Sequence, residues 1–234
     1  MSASQPQGVS SSVVHNARHG DPATRAQAIE LIFVAHWKPL YKYIRFQHRL
    51  PHDAARSITL NFLTQLEEPL FFAEFDWTKE PAREFIRRKI DGYLPTPEAA
   101  SPTPEIPAID FPGADAEFTA EQVPEGTSGK EYYTNEWIRN IFTLAVEELY
   151  RRLLAESRST DFELFLKLDL QDRSGDQRIS IEAAAADLSM PMTEAWSALA
   201  KTRQQFQNIL IDLIRSFTSS EAEFRREVQS FIRT

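Results

Sequence analysis

His48 and His52 stand four residues apart, a spacing that sets two imidazoles on one helical face for a metal, but Pro51 breaks the helix that would align them. Asp172, Ser174 and Asp176 fall on the first, third and fifth positions of a calcium loop. Its sixth position requires glycine and holds Gln177; its bidentate glutamate is due at Ala183, with Glu182 one residue early. A polar loop between helices is the simpler reading. Gly126-Thr127-Ser128-Gly129-Lys130 has the ending of a phosphate loop, yet Pro124 occupies the place of its first glycine and Glu131 that of its hydroxyl residue. With no cysteine, thiol nucleophiles, disulfides and thiolate metal sites are excluded. Five scattered histidines assemble no nucleophile, base and orienter. The expectation is a protein without catalytic residues, metal or cofactor.

The residues with chemistry left to do are cations, amides and one aromatic. Lys201, Arg203, Gln204 and Gln205 lie on the second of two helices that the pattern predicts across 179–210. Ser180 caps the first helix, whose apolar stripe is Ile181, Ala184, Ala185 and Leu188. Ser189-Met190-Pro191-Met192 makes the turn. Ala195, Leu199, Thr202 and Phe206 then give the second helix one buried face. Short helix, tight turn and longer helix is the helix-turn-helix pattern, whose second helix can present such side chains to phosphates and base edges; an αα-hairpin in a helical core fits the same spacing. Trp196 falls off the buried stripe, where it either packs on the last helix or meets a partner.

The elements that must position these residues read as helical. Seven glycines are few for 234 residues, and apolar residues recur at helical spacing in several segments. Pro22 opens a helix continuing past Pro39; Asp53 is placed to cap the next; Leu70 to Trp77 is an aromatic loop; Glu80-Pro81 opens a helix through Ile90. Half of the fourteen prolines lie in 95–130, and 91–130 carries eight acidic residues and one basic, −7 of the net −8. That composition predicts an extended acidic linker. Helical periodicity returns from Lys130, and Ser220 with Glu223 forms a capping box for a final helix. The predicted organisation is all-α: a disordered tail over 1–10, a helical domain over 11–94, the linker over 95–130 and a second helical domain over 131–234. No apolar run approaches the ~20 residues of a membrane span, and the polar N-terminus has no signal-peptide core, so a soluble, cytoplasmic protein is expected.

In order and spacing these segments resemble an RNA polymerase sigma factor of the extracytoplasmic-function type, in particular the sigma-like family abundant in planctomycetes. The likeness rests on Arg18-His19-Gly20-Asp21-Pro22-Ala23-Thr24-Arg25, on the run from His36 to Arg45, on Ala82-Arg83-Glu84-Phe85-Ile86, and on Ile181 to Phe206. It implies a sigma-2-like domain, a linker and a sigma-4-like domain. It further implies core RNA polymerase as obligate partner, contacted through the helix bearing Arg56, Asn61 and Gln65. Arg87, Arg88 and Lys89 would then face the −10 region of promoter DNA, and Lys201, Arg203, Gln204 and Gln205 the −35 region. An anti-sigma or other regulatory protein is a further implied partner; a membrane is not.

The chain departs from the family pattern in three places. Asp53 to Phe62 lacks most of the polar residues of the polymerase-contacting helix. The basic run after Lys89 is replaced by Asp91-Gly92-Tyr93-Leu94-Pro95. The second helix carries Glu194, Trp196, Ser197 and Ala200 where the family is rich in arginine. These departures predict an alternative: a degenerate sigma-like adaptor or regulator in a bacterial regulatory or defence system, acting through protein contacts with Trp196 at the interface. They also allow the acidic linker to lie on Arg87, Arg88 and Lys89 as an internal inhibitor.

Overall fold

The computed structural model describes residues 12–94, 109–171 and 179–233. These residues form helices and no strand. Within 12–94 lie α1 (Val13–His19), α2 (Pro22–His48), α3 (His52–Thr64) and α4 (Ala82–Tyr93); then come α5 (Phe111–Ala120), α6 (Gly129–Ala155), α7 (Ser159–Phe165), α8 (Ile181–Asp187), α9 (Met192–Ser216) and α10 (Glu221–Arg233). No helix among the described residues is long and apolar enough to cross a membrane. Residues 1–11 and the calcium-loop look-alike, apart from its flanks, lie outside the described residues.

The chain divides into two compact units, one of Met1–Ile141 with Ile214–Thr234 and one of Phe142–Leu213. The division therefore falls inside α6 and near the end of α9, whereas the sequence places it in the proline-rich stretch. The reason is aromatic. Trp137 and Tyr133, on the first half of α6, are buried against His36 of α2, and Phe217 and Phe231 close on Trp137. Burying rings of this size contributes several kcal/mol, enough to fix both segments in the first unit. His36 accepts or donates one hydrogen bond, Nδ1 to the Tyr133 hydroxyl at 2.7 Å. Burial, assisted by the nearby Arg83, pushes its pKa down to about 3, so the ring is neutral.

Local sequence explains most helix ends in this unit. Asp21 accepts from the backbone N–H groups of Ala23 and Thr24 and caps α2. Gly20 separates α1 from α2 because a Cβ there would come within 2.5 Å of the Asn16 carbonyl oxygen. Asp53 does not cap α3: Pro51 holds the N-cap position without a side-chain bond, and Asp53 lies in the first turn, where its charge suits the helix dipole. Ser220 caps α10 through the Glu223 N–H, while Glu223 reaches back to the Ser219 N–H at 2.7 Å, a capping box displaced by one residue.

Pro39 lies inside α2, and the 27-residue helix continues through it. Proline cannot donate the bond that the Ala35 carbonyl would receive. Asn140 of α6 supplies it instead, with Nδ2 3.0 Å from the carbonyl oxygens of both Ala35 and Val34. The aromatic loop closes the other side: Phe71, Phe72 and Phe75 pack around Phe85.

Part of the stretch expected to be a linker is helical. Asp110 accepts from the Gly113 N–H, and α5 follows with Phe111 and Ala114 buried. In the second unit, α7 runs into a wide helical turn over Leu166–Leu170, and α8 and α9 pack on it through Ala184, Ala185, Ala195 and Leu199. Ser180 caps α8 through the Ala183 N–H, and Ser189 takes a left-handed conformation, φ 53°, in the turn to α9. The buried face of α9 is the one its spacing predicts: Ala195, Leu199 and Thr202 are buried and Phe206 is half-buried.

Asn140→Leu is expected to destabilise the chain by about 2 kcal/mol, the cost of a buried carbonyl left without a donor. Adding Pro39→Ala restores a backbone N–H at that carbonyl, so it should recover about 1 kcal/mol in the Asn140→Leu background and gain nothing in the parent. Urea denaturation of the four chains measures both terms; an equal effect of Pro39→Ala in the two backgrounds would contradict the account.

Candidate nucleic-acid and partner surfaces

The cations expected at the −10 region line up on α4, and each is paired inside the first unit. Arg87 donates Nη1 to Asp91 at 2.9 Å and lies 3.3 Å from Glu84 through Nε. Arg88 binds Glu80 at 2.6 Å, and Lys89 binds Glu74 at 3.1 Å. Both also lie over the face of Phe85, at 5.2 and 5.5 Å. The hydrogen bond that Arg88 donates to Glu80 makes its proton harder to remove than usual. Tyr43 accepts from Arg87 and donates to Asp91 at 2.7 Å; its hydroxyl is pushed up to about 12 by burial and by that carboxylate. The carboxylates here come from α4 itself and from the 74–80 loop. Residues 95–108 of the acidic stretch expected to lie on these cations are outside the described residues.

Of the four expected −35 residues, Lys201 and Gln204 lie on the side of α9 away from the buried stripe, while Arg203 and Gln205 flank the stripe on opposite sides. Arg203 is half-exposed and forks onto Asp169, Nε to Oδ2 and Nη2 to Oδ1, both at 2.8 Å. This bidentate pair is the strongest geometry an arginine and a carboxylate adopt. Gln205 accepts from Arg158 at 3.2 Å, and Gln204 donates to Asn208 at 3.0 Å. Lys201 is exposed and makes no ion pair among the described residues. Helix, turn at Ser189 and longer helix follow one another as α8 and α9, and of the two expected −35 cations Lys201 has no ion pair among the described residues.

Pairing changes what these residues can do. A lysine or arginine that neutralises a phosphate gains affinity by releasing counterions from the nucleic acid. If the cation already holds a carboxylate, a phosphate must displace that carboxylate and then sits close to it. Exposed pairs are individually worth only about 0–1 kcal/mol, so no single pair forbids the exchange. The effect here is cumulative: Arg87, Arg88, Lys89 and Arg203 all carry internal partners.

The expected protein-contact residues separate. Trp196 is exposed, 55%. With Ile179, Ile181, Leu168, Leu199 and the Asp169–Arg203 pair it borders a shallow cavity of about 290 Å³ within the second unit. Ile179 is exposed as well, so two large apolar side chains flank one ion pair. Arg56 is half-buried with its guanidinium 5.9 Å above the ring of Phe111, and Gln65 is half-buried at the end of α3. Asn61 does not offer a contact surface: it is buried among Ile58, Phe62 and Leu63, because α3 turns that face to the core. His48 and His52 do not converge: His48 is 3.5 Å from Asp91, and His52 bonds to Tyr41 at 2.8 Å.

Sequence reading missed the acidic face opposite α2. Lys38, Lys42 and Arg45 pair with Glu117, Glu121 and Asp115 of the 111–121 stretch. The signal was there, since the cations repeat at helical spacing on α2 and the only charges of 111–121 are acidic, but nothing in either segment says that they meet. Compared with protein-family models, curated proteins and solved structures, the chain matches none.

Asp169→Asn removes the carboxylate charge that holds Arg203 and one of its two accepting oxygens, leaving an amide of the same shape. Affinity for a labelled DNA duplex at about 0.05 M salt should rise about threefold to tenfold, as expected when one more cation becomes available to phosphate. Fluorescence anisotropy reads the change; an unaltered affinity would mean that the pair does not restrain the −35 face.

Proposed function

We propose that the chain is a sigma-like transcription regulator that docks on core RNA polymerase and acts through protein contacts, not as an enzyme. The sequence likeness supplies the family and the partner. What carries the choice of protein contacts over DNA reading is the pairing of Arg203 on α9 with Asp169, repeated on α4 for Arg87, Arg88 and Lys89. Trp196, exposed beside that pair, is the residue best suited to anchor a partner, because a large desolvating aromatic next to a charged rim is the usual make-up of an interface hot spot.

In this reading the two helical units descend from the sigma-2-like and sigma-4-like modules, and the protein is brought to promoters by polymerase or holds polymerase away from them. A second reading, a promoter-selecting sigma factor, is favoured by Lys201. It is exposed and without an ion pair among the described residues, on the face where a −35 contact belongs, with Gln204 beside it. Polymerase would then supply the remaining affinity for DNA.

A pull-down of core RNA polymerase with the full chain, followed by transcription from a genomic promoter library, separates the two. The proposal expects polymerase to be retained and no new specific start sites. Specific starts would establish the second reading, and loss of polymerase binding with another protein recovered would overturn the polymerase assignment. Trp196→Ala should lower partner retention by about 30-fold, the effect of a 2 kcal/mol hot spot, with thermal stability unchanged. Loss of folding in that variant would place Trp196 in the core instead.

A further inference from the structure

The acidic residues of α5 and its C-cap each pair with a cation of α2. The stretch Phe111–Glu121 contains three carboxylates: Glu117 meets Lys38 at 2.5 Å, Asp115 meets Arg45, and Glu121 meets Lys42 at 3.3 Å. Conversely, Lys38, Lys42 and Arg45 are the cations on that part of α2, spaced four and three residues apart on one face. Aromatic contacts set the register. Phe111 is buried with its ring 5.3 Å from Trp37 and 5.2 Å from Tyr41, Arg56 lies over it, and Arg45 lies 5.0 Å above Phe118. The Tyr41 hydroxyl adds a 2.7 Å bond to Asp115.

Left alone, α5 is a poor helix. It has ten residues, with Pro112 and Gly113 in its first turn, and so short a segment is not helical in water by itself. Its conformation depends on the surface it lies on. The sequence before it, 95–108, includes five prolines and joins it to α4 as a tether of fourteen residues. A short acidic helix with an aromatic anchor, laid along a basic and aromatic face, has the form of a bound peptide ligand that happens to belong to the same chain.

We propose that the Trp37–Lys38–Tyr41–Lys42–Arg45 face of α2 is a binding surface for an acidic helix with an aromatic anchor on a partner protein, and that α5 occupies it as an internal stand-in until such a helix displaces it. The tether gives α5 an effective concentration on the order of millimolar, so only a partner with a better anchor or more carboxylates competes. Displacement uncovers Lys38, Arg45 and two aromatic rings together, while Lys42 stays paired with Glu136, which makes the surface conditional on the partner. The charge pairs weaken in salt and the aromatic anchor does not, so salt lowers the affinity of any such helix without abolishing it. This surface is separate from α9 and Trp196, and the proposal holds whether or not the partner is polymerase.

The test uses the full chain and, as probe, a labelled synthetic peptide of residues 109–121. In a chain carrying Phe111→Ala and Asp115→Asn the surface is vacated, and the peptide should bind in trans, its affinity falling at least about tenfold from 0.05 to 0.5 M salt. The unaltered chain should bind it at least tenfold more weakly, and adding Lys38→Glu with Arg45→Glu to the vacated chain should abolish binding. A vacated chain that keeps its helical circular dichroism and ignores the peptide would overturn the proposal, as would equal binding by the unaltered chain. Hydrogen exchange on the unaltered chain decides the matter without any variant. Amides of 115–120 should exchange at least about 100-fold faster than those of 40–45, reporting α5 opening by itself; exchange of both only with global unfolding would refute displacement.

Discussion

Lys42 is 4% exposed, and its ammonium lies 2.5 Å from Glu136 and 3.3 Å from Glu121. Taking that charge out of water costs several kcal/mol unless both carboxylates stay in place. Glu136 belongs to α6 and Glu121 follows α5, so the position of one lysine on α2 commits three elements. Arg139 closes the group by binding Glu121 and Glu136, while Tyr132 donates to Glu121 and stacks on Phe46 at 4.2 Å. Burial pushes Glu136 up against the pull of Lys42. Glu121, although burial opposes it, is held below its ordinary value by Arg139, Tyr132 and Lys42. Such groups add little net stability over an apolar core, but a misplaced partner is strongly penalised, and that penalty selects one arrangement of the helices.

The same rule runs through the molecule. Arg83, buried over Trp137, pairs through Nη1 with Glu227 of α10; Arg87, Arg88 and Lys89 use carboxylates nearby; Arg203 uses Asp169. The chain is acidic overall, and many of the basic residues among those described are paired internally before any external anion arrives. Surfaces that sequence analysis assigns to DNA therefore carry little free positive charge, whereas Trp196, Ile179 and Trp77 remain exposed and uncommitted.

Helices, the turn at Ser189 and the buried stripe of α9 were legible in the sequence because each depends on neighbours within one or two turns. The all-helical class follows from the same local signals. Three features were not legible, for one physical reason. The Ala35 carbonyl freed by Pro39 finds its donor in Asn140, about a hundred residues on; α5 is helical because Phe111 and three carboxylates meet α2; Arg203 is neutralised by Asp169, which is 34 residues earlier. Each is a contact between distant segments, and composition misled where it pointed most clearly. Prolines and carboxylates over 95–130 read as extended chain, but charge opposite charge converts part of that stretch into a packed helix. Among the candidate site residues, Trp196 stands exposed as its off-stripe position indicates, while Asn61 lies in the core because helical phase, not polarity, decides which side of α3 faces outward.

Internal carboxylates neutralise the cations that the sequence likeness assigns to DNA, and the salt dependence of DNA binding by the unmodified chain tests this most directly. Titration of the isolated protein onto a labelled duplex of about 40 base pairs, between 0.05 and 0.2 M salt, gives the number of phosphates neutralised from the slope of log affinity against log salt. The account predicts weak binding at the lowest salt with a slope near −1, the contribution of Lys201 alone. A slope of −4 or steeper would show the cations of α4 and α9 free to meet phosphate and would contradict it.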